Sequence, residues 1–89
     1  MIRQIHIRVS GDVQGVNYRY STRLMALELK LTGFVKNEDN GDVYIEAEGP
    51  AEQLEKLVAW CRKGPPRAEV DAVVTSDAVA TGFEGFEIR

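Results

Sequence analysis

Residues 11–19 combine the features that a protein uses to bind an oxyanion. The segment carries two glycines, Gly11 and Gly15, and ends on Arg19, between an alternating segment and a helical one. In such a connection, successive backbone N–H groups can point into one concavity at the positive end of the helix, where phosphate binds. Gly15 would permit a left-handed turn, and Arg19 would add a planar pair of donors. The same residues also fit an ordinary connection with two turn glycines and a surface arginine.

The loop does not match the common nucleotide-binding motifs. Its spacing fits neither G-x-x-x-x-G-K-[ST] nor G-x-G-x-x-G. It also offers no lysine and no serine or threonine hydroxyl for a magnesium nucleotide. Taken alone, the loop leaves both an anion site and a plain connection open.

Asn37 is a second candidate, because it ends a predicted strand on the same face as Val35. An asparagine at a strand end is most often a turn residue that bonds its own backbone. Alternatively, its amide reaches over the edge of the sheet into the anion site. Other polar residues are weaker candidates: His6 lies alone on a solvated face, and the carboxylates within residues 38–42 suit a solvated turn better than a metal site.

The elements that would position these residues are predicted from hydrophobic periodicity. Residues 2–10 alternate and predict a half-buried strand, with Ile5, Ile7 and Val9 on one face and His6 and Arg8 on the other. The later elements are a helix at about residues 17–31, strands at 34–37 and 43–48 joined by a type I′ turn at Asn40-Gly41, a helix opened by Gly49-Pro50, a strand at 70–75 and a short final strand at Phe86 and Ile88.

This order predicts an α+β, ferredoxin-like βαββαβ sandwich with a short fifth strand. An antiparallel sheet would carry both helices on one face and expose the other face to solvent. No linker or repeat divides the chain, so residues 1–89 are expected to form a single domain.

The two helices differ in how much apolar surface they carry. In the second, Leu54, Leu57, Val58 and Cys61 form a single stripe, and Trp60 lies off it as a partly exposed residue. The first helix has one stripe expected against the sheet, formed by Tyr18, Thr22, Ala26 and Leu29. It has a second stripe, formed by Tyr20, Leu24, Leu27 and Leu31. We expect this second stripe to pack on the neighbouring helix; the alternative is an exposed patch for a partner.

The composition excludes several classes of protein. Cys61 is the only cysteine, which rules out an intramolecular disulfide and favours a reducing compartment. The first residues lack the apolar core of a signal peptide, and no run is long enough for a membrane span, so we expect a cytoplasmic protein with no membrane partner. The net charge of −3, without a Lys/Arg cluster, argues against a nucleic-acid partner.

Several separated segments resemble the acylphosphatase family. Residues 11–19, GDVQGVNYR, are similar to the family loop G-x-V-Q-G-V-x-[FY]-R, and residues 33–37, GFVKN, are similar to G-[WF]-V-[KR]-N. The Asn40-Gly41 pair matches the family hairpin, and residues 64–70 and 86–89 match its last third. The resemblance runs in register from about Ile5 to Arg89.

The resemblance implies a metal-independent enzyme, without a cofactor, that hydrolyses small acyl phosphates. Arg19 is implied as the anion clamp and Asn37 as the residue that orients the attacking water. The expected partners are a small-molecule acyl phosphate and, as competing anions, inorganic phosphate or sulfate; a monomer is the default expectation. The implied phosphate-binding loop comprises Val13, Gln14, Gly15, Val16, Asn17, Tyr18 and Arg19.

Two residues depart from the family pattern. Asp12 places a carboxylate at the mouth of the loop, where it would weaken phosphate binding if it faced the anion and have little effect if it faced solvent. Lys30 replaces a glycine common in the family. Either the first helix ends differently here, or Lys30 tolerates backbone strain.

Two other functions fit parts of the sequence. One is a catalytically silent, acylphosphatase-like binding or regulatory module, which hydrolysis of acetyl or benzoyl phosphate by the isolated protein would exclude. The other is an RNA-binding domain of similar topology. That function would need aromatic residues on the open sheet face and a basic surface, whereas the first strand places His6, Arg8 and Ser10 there.

Overall fold

Two helices and five strands make up the computed structural model, which describes residues 1–89. The sheet has the strand order β4-β1-β3-β2-β5, and β5 pairs parallel to β2 whereas the other neighbours are antiparallel. This confirms the ferredoxin-like α+β prediction, except that the sheet is mixed. The elements are β1 (Arg3–Asp12), α1 (Tyr18–Glu28), β2 (Thr32–Asn37), β3 (Val43–Gly49), α2 (Ala51–Cys61), β4 (Glu69–Ala78) and β5 (Phe86–Ile88).

The alternation predicted for the first strand defines the core. Ile7 and Val9 are fully buried, and their cross-strand partners in β3, Ile45 and Val43, are fully buried on the same face. Both helices pack on this face, and the α2 stripe ends on Cys61 inside the same core. Burial raises the pKa of the Cys61 thiol to about 12, so this group stays protonated as a packing residue. None of the helices is long and apolar enough to cross a membrane.

The first helix ends earlier than predicted because Lys30 takes a left-handed conformation, with φ 60°. The N–H of Leu31 donates to the carbonyl of Ala26 at 2.8 Å, and the N–H of Lys30 donates to the carbonyl of Leu27 at 3.1 Å. This hydrogen-bond pair is the Schellman motif, whose left-handed position usually holds glycine. Lys30 therefore occupies a position of backbone strain, as the second of the two sequence interpretations predicted.

The second stripe of α1 is mostly exposed, so the favoured expectation for it was wrong. Tyr20, Leu24 and Leu27 are 51%, 48% and 42% exposed, and only Leu31 is buried. The reason is that α2 meets the first stripe instead. The Tyr18 and Trp60 rings lie 5.4 Å apart between centroids, and the Gln53 side chain donates to the Leu29 carbonyl.

The hairpin between β2 and β3 is confirmed, but its turn is not type I′. Of the predicted central pair, only Gly41 has a positive φ, 99°. The Gly41 N–H donates to the Glu38 carbonyl at 3.1 Å, so Asp39 and Asn40 are the central residues and the glycine follows them. The Asn40 side chain instead accepts a hydrogen bond from the main-chain N–H of residue 42.

The sheet face opposite the helices is covered at one end, contrary to the prediction that it is wholly solvated. Glu48 and Gln4 are each only 3% exposed there, because the segment between β4 and β5 folds over them. The Glu48 carboxylate accepts hydrogen bonds from Gln4 and from the main-chain N–H groups of Thr81, Gly82 and Phe83. Burial opposes ionisation of Glu48, but these hydrogen bonds outweigh it and hold the pKa of the carboxyl below its ordinary value.

Candidate active site

The loop between β1 and α1 has the backbone geometry of an anion-binding nest. Gly15 has φ 75° and Asn17 has φ 69°, whereas residues 12–14 and Val16 have no positive φ. Alternation of this kind turns successive N–H groups toward one side of the chain. None of the turn and loop hydrogen bonds uses a main-chain N–H donor between residues 13 and 17. The loop therefore presents unused donors at the start of α1, where the helix dipole is positive.

Apolar side chains anchor the loop to the hydrophobic core. Val13 and Tyr18 are each 1% exposed, and Val16 packs against the core. The Tyr18 hydroxyl donates to the carbonyl of Cys61 at 2.8 Å. Burial, reinforced by Cys61, raises the pKa of Tyr18, so the hydroxyl remains a donor. Because these side chains point into the protein, a ligand at the loop would meet its main-chain N–H groups.

Gln14 fastens the loop to the β2–β3 hairpin. Its Nε2 donates to the main-chain carbonyl of Glu38 at 2.8 Å and to that of Asp42 at 2.9 Å. The Gln14 side chain does not line the cleft described below, so its role in the structure is to hold the loop beside the strand that ends at Asn37.

Arg19 and Asn37 reach the site from two different elements. Arg19 stands in the first turn of α1, as predicted, and its Nη1 donates to the main-chain oxygen of Arg89 at 3.0 Å. Asn37 is the last residue of β2 and pairs with the buried Val43. Its side chain therefore lies on the helix-bearing face, as its spacing from Val35 predicted.

These elements enclose a cleft of about 380 Å³. It brings together six of the eight predicted site residues, whereas Gln14 and Val16 do not line it. Two further residues, Tyr20 and Ile88, line the cleft although no motif in the sequence marked them as site residues. The position of Tyr20 directly after Arg19 is the one feature that pointed to it. The lining residues are Val13, Gly15, Asn17, Tyr18, Arg19, Tyr20, Asn37 and Ile88.

The charge distribution in the cleft suits an anion. Arg19 is the only charged residue of the lining, and the first turn of α1 contains no acidic residue. Asp12 does not line the cleft. It is exposed at the end of β1, where its main chain lies opposite that of Glu69 in β4. The carboxylate at residue 12 is thus exposed to solvent rather than part of the cleft lining. His6 is on the opposite sheet face, where its Nε2 is 2.7 Å from Gln4 Oε1.

The fold and the cleft define a ferredoxin-like domain in which a β–α loop, one arginine and one strand-end asparagine line the same cleft. The model of the acylphosphatase family matches residues 5–88. An acylphosphatase of Natronomonas pharaonis is 46% identical over 84 residues, which are 94% of this chain and 91% of that protein. The chain belongs to the acylphosphatase family and is a hydrolase that acts on acyl phosphates.

Solved structures agree with this assignment. An acylphosphatase from Coxiella burnetii superimposes with a TM-score of 0.96 at 42% identity, over 99% of this chain and 93% of that one. An acylphosphatase from Bacillus subtilis superimposes with a TM-score of 0.94 at 38% identity, over 100% of this chain and 99% of that one.

Proposed function

We propose that the protein cleaves the carboxyl–phosphate bond with residues 13–19 as the phosphate-binding loop, Arg19 as the anion clamp and Asn37 as the water-orienting residue. The observation that supports this assignment best is that one cleft is lined by Arg19, by Asn37 and by three loop residues with unused amides, Val13, Gly15 and Asn17. Asn37 belongs to β2, which follows α1, so its position in the same cleft as the loop and Arg19 is not a consequence of sequence proximity.

The phosphoryl group binds at the loop. Its oxygens accept hydrogen bonds from the main-chain N–H groups of residues 13–17 and from the guanidinium of Arg19. That guanidinium has five N–H donors, and one interaction with Arg89 leaves others for the anion. Fixed donors of this type stabilise the charge that spreads over the phosphoryl oxygens in the transition state.

Asn37 positions the water. Its amide can donate one hydrogen bond and accept another, which holds the water in line with the bond to be broken and reduces the motional freedom lost at the barrier. The water oxygen attacks phosphorus, the bond from phosphorus to the acyl oxygen breaks, and the carboxylate leaves with that electron pair. The water's proton passes to a phosphate oxygen of the substrate. A carboxylate is a good leaving group, so no general acid is needed.

The proposal also covers inhibition by other anions, the use of metals and cofactors, cellular location and oligomeric state. Inorganic phosphate or sulfate, bound in the loop, competes with the substrate. The reaction as drawn uses no metal ion and no cofactor. We place the protein in the cytoplasm as a monomer, in keeping with its single cysteine, which is buried as a free thiol.

The test separates Arg19 from Asn37. Arg19 contacts the phosphate in both the ground state and the transition state, so Arg19→Ala should lose phosphate binding and turnover together. Asn37 contacts only the water, so Asn37→Ala should keep phosphate affinity within a few-fold while kcat falls by about 10²-fold or more. Phosphate binding is measured by calorimetry, and kcat is measured with acetyl phosphate.

Two controls make the result decisive. Circular dichroism shows whether each variant is folded, and Asn40→Ala, which changes an exposed asparagine of the same hairpin outside the cleft, should retain full activity. Loss of phosphate binding in Asn37→Ala as severe as in Arg19→Ala would make Asn37 a structural support of the loop. Absence of any hydrolysis by the unmodified protein would favour the catalytically silent module.

A further inference from the structure

Two large, partly exposed apolar side chains line the cleft. Tyr20 is about half exposed, Ile88 is 42% exposed, and both line the cleft together with Arg19 and Asn37. Exposed apolar side chains are unremarkable when scattered, but these two come from different elements, α1 and β5, and line one concave site. Arg19 and Asn37 serve the phosphoryl and water ends of the reaction, so these two side chains are left facing the rest of the substrate.

Both residues belong to regular secondary structure. Tyr20 lies in the first turn of α1, directly after the arginine that clamps the anion. Ile88 lies in β5, opposite Val35 of β2, and the next residue's N–H donates to the Val35 carbonyl at 2.8 Å. Arg23, one turn beyond Arg19, donates from Nε to the Phe86 carbonyl at 2.8 Å and ties β5 to α1. The main chain that carries Tyr20 and Ile88 is therefore held in place before a ligand binds.

The arginine side chains near Tyr20 and Ile88 already have other partners. Arg23 is bound to the β5 main chain, and the Arg89 guanidinium lies 4.0 Å from the Phe34 ring centroid and pairs with Glu87 at 3.1 Å. Arg19 is the only charged residue of the lining and is committed to the phosphoryl group. A second negative charge on the acyl part would thus lose water without gaining a partner.

We propose that Tyr20 and Ile88 form an acyl subsite that selects substrates whose acyl group is uncharged and apolar, either aromatic or branched alkyl. This inference rests on the proposed function, because it takes the phosphate end of the substrate to be bound at Arg19. An aromatic acyl group would contact the Tyr20 ring and the Ile88 side chain, whereas an acetyl group is too small to reach both.

The experiment compares kcat/KM for benzoyl phosphate with kcat/KM for acetyl phosphate. Tyr20→Ser should lower the benzoyl-to-acetyl ratio by about tenfold, the scale of losing a modest apolar contact in a specificity pocket. Tyr20→Ser combined with Ile88→Ser should lower it further. Leu24→Ser is the matched control, since Leu24 is equally exposed on the same helix but does not line the cleft, and it should leave the ratio unchanged.

A second substrate pair tests the charge argument in the unmodified protein. 4-Carboxybenzoyl phosphate, which adds one carboxylate to the same ring, should be hydrolysed with a kcat/KM about tenfold below that of benzoyl phosphate. Equal values for the two substrates would overturn the preference for uncharged groups.

The outcomes distinguish the subsite from the proposed function. An unchanged benzoyl-to-acetyl ratio in Tyr20→Ser, with both substrates still hydrolysed, would overturn the acyl subsite alone. So would a parallel weakening of inhibition by inorganic phosphate, because it would show that Tyr20 shapes the loop instead. Failure of the unmodified protein to hydrolyse either substrate would overturn the proposed function and the subsite with it.

Discussion

Replacing Lys30 by glycine should stabilise this protein, although glycine is usually a poor choice next to a helix. Lys30 has φ 60° and holds the left-handed position of the Schellman motif that ends α1. Its own N–H and that of Leu31 make the two hydrogen bonds of the motif, so the strained conformation is fixed by the surrounding chain. Lys30 is exposed and forms no ion pair, which means that the substitution removes no side-chain interaction.

The expected gain is the difference between two backbone effects. A residue with a Cβ atom in the left-handed conformation costs about 1–2 kcal/mol. Glycine relieves that strain but makes the unfolded chain more flexible, which takes back roughly 0.4–1 kcal/mol. The net increase in the free energy of unfolding therefore lies between about 0 and 1.6 kcal/mol, with a central value of about 0.5–1 kcal/mol. For a domain of this size, that corresponds to a rise in Tm of about 2–8 °C.

Urea denaturation followed by circular dichroism is the appropriate assay. Lys30→Gly should raise the midpoint without changing the slope, because the surface exposed on unfolding stays the same. Lys56→Gly provides the matched control: Lys56 is exposed within α2, so the same exchange there should lower stability by about 1 kcal/mol. A fall in the midpoint for Lys30→Gly, equal to that of the control, would refute the assignment of strain to residue 30.

Two further predictions concern a buried carboxylate and the reaction. Glu48→Gln should lower the free energy of unfolding at pH 7 by about 1–3 kcal/mol, because four donors lose their charged acceptor. Since the pKa of Glu48 is lowered in the folded protein, its contribution is complete above the ordinary pKa of about 4.3 and is lost as the pH falls through the folded-state value. The unmodified protein should therefore lose its advantage over Glu48→Gln as the pH falls below about 4.3, and parallel pH profiles of unfolding would contradict this. Hydrolysis of acetyl phosphate should survive exhaustive chelation, with inorganic phosphate as a competitive inhibitor; activity lost with the chelator and restored by magnesium would show that the mechanism is incomplete.

The sequence predicted those features that depend on neighbours along the chain. The face of Asn37 followed from its spacing to Val35, and the place of Arg19 followed from the helix start after Gly15. The elements appeared in the predicted order, because hydrophobic periodicity is a local property. The left-handed conformation of Lys30 was one of two alternatives that the family resemblance left open.

What the sequence did not predict depends on contacts between distant segments. The hydrogen bonds of the Gln14 side chain are an example, because they reach the hairpin 24 and 28 residues away. The partners of Glu48 lie 33–35 residues away in an irregular segment with no periodic pattern. Ile88 reaches the cleft only because β5 pairs parallel to β2, and a strand of three residues carries too little pattern to reveal its partner.

The central place of β1 in the sheet governs how the chain can fold during synthesis. Both edges of β1 pair with strands that come later in the chain, β3 from Val43 and β4 from Glu69. At about 5–20 residues per second, a ribosome needs roughly 3–11 s to proceed from Asp12 to Glu69. For that time one hydrogen-bonding edge of β1 has no native partner, and Ile5, Ile7 and Val9 lack part of their cover. The nascent protein is thus most exposed to misassociation before its fourth strand emerges, and completion of folding awaits that strand.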